Sequence, residues 1–109
     1  MKTQEQLFDT ILGELFDTYK KKNSDYGNTF EKLFKEFGAV YAYSHMYEKL
    51  MRIKTLMNDL NPPKVKEESI KDSLKDLASY AILTLVQILQ IEEENENGRQ
   101  ETIWHRLSR

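Results

Sequence analysis

The stretch VKEESIKDSLKDLASYAILTLVQILQIEE, residues 65–93, decides the fold. It holds neither Gly nor Pro, and its apolar residues recur at steps of three and four, the period of an α-helix. One long helix from about Val65 to Glu93 is therefore expected. In its second half Ile82, Leu85, Ile88 and Leu89 fill much of the circumference, which suits a central position in a bundle.

Outward from this rod, Asn61-Pro62-Pro63 ends the preceding helix, expected over Ala39 to Asp59. Its apolar face is Val40, Tyr43, Met46, Tyr47, Leu50, Ile53 and Met57. Gly38 reads as the C-terminal cap of a short helix from Thr29 to Phe37, with Phe30, Leu33, Phe34 and Phe37 inward. Asn23 to Asn28 has the composition of a turn. A first helix from Thr3 to Lys22 presents Leu7, Ile11, Leu12, Leu15, Phe16 and Tyr19 on one side. Thr3 and Gln6 have the spacing of a capping box, and Lys20-Lys21-Lys22 suits the negative end of the helix dipole. On the far side of the rod, Glu92 to Gly98 is an acidic linker. Beyond it, Glu101 to Leu107 suits a short helix that carries Ile103, Trp104 and Leu107, with Trp104 as a packing anchor. The expected fold is all-α, a bundle of four to five helices, with a helical domain over 1–94 and a tail over 95–109.

Composition narrows the function. The chain has 109 residues, 4 Gly, 2 Pro and no Cys. The absence of Cys removes disulfides, thiolate metal sites and cysteine nucleophiles. The first residues, Met1-Lys2-Thr3-Gln4-Glu5, do not read as a signal peptide, and Ala81 to Leu89 is too short to span a bilayer. No membrane is expected. A net charge of −2 gives no general attraction to nucleic acid. An anionic ligand would need a local basic cluster or a bound cation.

Glu68, Asp72 and Asp76 stand four residues apart and form a ridge on one side of the long helix. Two readings are open. The ridge is a solvated face screened by Lys71 and Lys75, or it meets a protein wall and holds a cation. Carboxylates facing a wall are costly unless paired. Hard oxygen ligands suit Mg²⁺ or Mn²⁺. On the preceding helix Glu48, Arg52 and Thr55 share one side, with His45 and Asp59 near. Glu48 would add a fourth carboxylate. Lys49 and Arg52 would hold phosphate oxygens or neutralise the acids, and a salt-bridge network without a ligand is equally consistent. His45 alone reads as a helix-surface residue.

Three stretches resemble a family. Lys22-Asn23-x-Asp25-Tyr26-Gly27-Asn28-x-Phe30 resembles the opening motif of the nucleotide-modification-associated helical domains common in phages. Glu48-Lys49-x-x-Arg52-Ile53-Lys54-x-Leu56 resembles their middle motif, and Lys66-x-Glu68-Ser69-Ile70-x-Asp72-x-Leu74-x-Asp76-Leu77-Ala78-x-Tyr80-Ala81-Ile82 their closing one. Such domains look similar to the all-α nucleoside triphosphate pyrophosphohydrolases, the MazG and dimeric dUTPase group. The resemblance implies a Mg²⁺ site on Glu48, Glu68, Asp72 and Asp76, with Glu48 as general base. It implies substrate binding by Asp25, Tyr26, Lys49, Arg52 and Tyr80, and a homodimer or homotetramer in the cytoplasm of a bacterial or phage-infected cell. Asp25 read alone is ordinary turn chemistry, and Tyr26 suits either base stacking or covering the core.

One departure stands out. The pyrophosphohydrolase group pairs two Glu as E-x-x-E, whereas Met51 stands three after Glu48. Three functions follow as expectations: a Mg²⁺-dependent hydrolase of (d)NTPs, a nucleotide-binding protein without turnover, or a helical oligomerisation module.

Overall fold

The structure, a computed structural model, describes the backbone of residues 1–26, 28–58 and 63–96, and the side chains of 1–23, 28–58 and 67–96. Those residues form α1 (Gln4–Tyr26), α2 (Thr29–Phe37), α3 (Ala39–Met57) and α4 (Pro63–Glu96). No strand occurs among them, so the protein is all-α, as its sequence predicts. The expected helix over 101–107, with Ile103, Trp104 and Leu107, lies outside the described residues.

Helix starts and stops follow local chemistry. The Thr3 backbone N–H donates to Gln6 Oε1 at 2.9 Å, and the Gln6 N–H donates to Thr3 Oγ1 at 3.1 Å. This is the expected capping box, and it satisfies two N-terminal donors at once. α1 then overruns the expected turn and continues to Tyr26. Asn, Ser and Asp are only mildly poor helix formers, each costing about 0.5 kcal/mol, so without Gly or Pro they do not stop a helix. The three lysines therefore lie a turn before its end, and the last turn carries no basic residue. Pro63 opens α4, where its missing N–H costs no hydrogen bond. The acidic run through Glu96 is part of α4 rather than a linker.

Gly38 ends α2 as expected: its N–H donates to the Phe34 carbonyl at 2.7 Å. α3 stops at Met57, where the Asn58 side-chain amide donates to the Lys54 carbonyl at 2.9 Å.

α3 and α4 form the main interface, and they are antiparallel: His45 meets Tyr80 while Lys49, further along α3, meets Asp76, further back on α4. Phe34, Ala42 and Ile91 are the buried core, with Phe30, Tyr41 and Met46 against it. Ile53 and Leu56 are buried further along α3.

The packing corrects three expectations. The predicted apolar face of α3 is mostly the wrong one: Val40, Tyr43, Tyr47 and Leu50 are exposed. The face toward α4 is Ala42, His45, Met46, Lys49, Ile53 and Leu56, each buried or half-buried. α3 carries two stripes at helical spacing, and periodicity does not rank them. α1 likewise leaves Leu7, Ile11, Leu12, Phe16 and Tyr19 exposed and touches α4 only lightly, through the Glu14–Lys75 ion pair at 3.1 Å. α4 touches all three other helices, yet Ile82, Leu85, Val86 and Leu89 remain exposed. Its Glu67–Glu96 span is long and apolar enough to cross a membrane by length and composition, with 11% of the scored window buried.

Candidate functional site at the seam of α3 and α4

The seam places polar groups of both helices side by side. Lys49 Nζ lies 3.4 Å from Asp76 Oδ2, with the lysine more sheltered than the carboxylate. One turn before Lys49, His45 stacks on Tyr80 with ring centroids 4.6 Å apart and planes 14° from parallel. Tyr41 meets His45 edge-on at 4.7 Å. Phe30, delivered by α2, packs on both Tyr41 and Tyr80, at 5.3 and 6.2 Å. Four rings from three helices thus sit beside the Lys49–Asp76 pair.

Two acids act on Tyr80 through their charge. Burial pushes its phenol above the ordinary value, and the negative charges of Asp76 and Glu48 push it further the same way. A carboxylate of α3 and one of α4 therefore act on a single hydroxyl. Tyr41 is raised as well, by burial first and by Tyr80 second.

The candidate residues divide into groups. Lys49 and Asp76 pair across the seam beside Tyr80, while Glu48 is exposed on α3 and reaches Tyr80 only through its charge. Arg52 is exposed, four residues on from Glu48 on α3. Glu68 and Asp72 are exposed on the first half of α4. Among the described residues no three His, Cys, Asp or Glu side chains gather as a metal cage. The ridge of acids is therefore solvated at its start and meets a neighbouring helix only at Asp76. Asp25 and Tyr26 belong to the last turn of α1, and their side chains, like that of Asp59, lie outside the described residues. The donor set present is two carboxylates and a lysine. With Asp76 already paired to Lys49, that set is short of a metal cage, and a Mg²⁺ ion there would have to keep several waters and complete its shell on phosphate oxygens.

His45, Tyr41 and Phe30 were not legible as site residues. His45 is half-buried in a ring stack rather than on the surface. The four-residue step from Tyr41 to His45 was readable. The pairing of His45 with Tyr80 depends on the register of two helices, which no local pattern carries.

Fold and site together define an all-α protein with an ion-paired, aromatic-walled seam between two antiparallel helices. The chain belongs to the nucleotide modification associated domain 1 family, whose profile matches residues 22–88. The matched span runs from the end of α1 through most of α4, so it contains the Lys49–Asp76 pair and the four rings beside it. No curated protein matches the chain significantly. No solved structure does either.

Proposed function

We propose that the chain binds a nucleoside triphosphate as its magnesium complex at this seam and hydrolyses it to the monophosphate and pyrophosphate. The observation that carries the reading is the Lys49–Asp76 pair beside a wall of aromatic rings, with the charge of Glu48 felt at Tyr80. Family membership supports a nucleotide as the ligand. Lys49 and Arg52 supply positive charge for phosphate oxygens. The aromatic wall supplies a flat surface for a base. Glu48 and Asp76 would hold the ion, which neutralises phosphate charge when bound. Water attacks the α-phosphorus, the bridge to the β-phosphate breaks, and Glu48 accepts the proton released. The choice of that bond rests on the resemblance of the sequence motifs to the all-α pyrophosphohydrolases.

A second reading has its own support. Met51 replaces an expected carboxylate, and Lys49 already neutralises Asp76. Both favour binding without turnover.

One experiment separates the two. The chain is incubated with a panel of NTPs and dNTPs and Mg²⁺, and pyrophosphate release and thermal shift are read together. Release that disappears in Asp76→Asn supports hydrolysis. Stabilisation without release supports binding alone, since a ligand held at a hundred times its Kd adds about 2.7 kcal/mol. Neither signal with any nucleotide would end both readings.

A further inference from the structure

α4 has two opposite faces. One meets α3 through Asp76 and Tyr80 and carries the buried Ser73 and Gln87. The other carries Leu74, Ala78, Ala81, Ile82, Leu85 and Leu89, and all four large residues among them are 43% or more exposed. Their spacing alternates around three and four residues, as in a coiled-coil seam. We propose that this face pairs with the same face of a second copy, antiparallel, about a two-fold axis between Ala81 and Ile82.

Self-complementarity argues for the register. A two-fold axis there sets Leu74 opposite the partner's Leu89 and Ala78 opposite the partner's Leu85. Small residues then meet large ones, which lets two helices approach closely. Charge selects the direction. The face begins with the cation Lys71 and ends with the anion Glu92, and neither has an ion-pair partner among the described residues. Antiparallel pairing sets each Lys71 opposite the partner's Glu92, twice by symmetry, whereas parallel pairing sets like charges side by side. Glu67 and Glu96 fall at the outer ends of the seam, where solvent screens them.

A lipid bilayer is the rival occupant. The uncharged run on α4 is Leu77 to Ile91. That run extends about 22 Å at 1.5 Å per residue, short of a 30 Å hydrocarbon core. Insertion would also carry the Lys49–Asp76 pair toward hydrocarbon. A second copy of the chain asks for neither. The proposal is independent of the nucleotide reading.

Sedimentation equilibrium of the full chain tests it, with vesicle flotation alongside. The expected mass is twice 12.9 kDa. Leu85→Glu should give a monomer with its helical circular dichroism intact. Should that variant not fold, the charge pair still decides. Lys71→Glu and Glu92→Lys should each weaken the dimer about tenfold, because each creates two repulsive pairs at the rim. The double variant should return to wild-type affinity. A monomer at every concentration would overturn the proposal, as would a dimer indifferent to both charge reversals. Flotation with phosphatidylcholine vesicles in place of dimerisation would assign the face to lipid.

Discussion

Gly38 is the residue on which the angle between α2 and α3 depends. It is buried, with φ 75° and ψ −156°, a region that L side chains scarcely enter. Gly38→Ala should lower unfolding stability by about 1–3 kcal/mol in urea titrations. Unchanged stability would show that the joint tolerates another backbone path. Tyr80 gives a second test at this scale. Its folded pKa is raised from 10.0, so the neutral phenol is the form that folding favours. The associated stability is fully present below pH 10 and is lost as pH rises through the folded value. Urea unfolding followed from pH 9 to 11 should show this loss in the wild type. It should be smaller in Tyr80→Phe, with Tyr41 contributing the part that remains. Gly38 was legible as a helix cap because a glycine after a short apolar pattern has few other uses. Tyr80 was legible only through resemblance. The stack that fixes its surroundings joins residues 35 positions apart.

At the scale of elements, start signals were more legible than ends. The Thr3–Gln6 box is a local code, and it forms as written. Polar composition does not end α1, which runs on through Asn23, Ser24 and Asp25. Gly13, mid-way along α1, offers a check on how far that helix stands alone. A Cβ at this position meets nothing within 4 Å. Gly13→Ala should therefore stabilise the protein by about 0.5–1 kcal/mol, read from the urea midpoint. A loss of stability would mean that another surface approaches α1 there. For α3, the existence of two apolar stripes was readable but their assignment was not. The face toward α4 includes Lys49 and His45, and a polar member lowers a stripe's apparent hydrophobicity while it packs against Asp76 and Tyr80. The candidate site was half legible for the same reason: the residue types were visible, and their convergence was a matter of register.

At the scale of the whole molecule, much apolar surface stands outside the small buried core. Thermal unfolding should show this directly. If two copies share the open face of α4, the midpoint should rise with protein concentration over a hundredfold dilution series, because association stabilises only the folded form. A midpoint constant across the series would describe a self-sufficient protomer. Leu85→Glu should remove the dependence. The exposed side of α4 then has a consequence beyond assembly. A chain completed by its own kind is most vulnerable when scarce, so the first copies made in a cell would be digested fastest and later ones would persist. Dosage, rather than any ligand, would set how long each copy lasts.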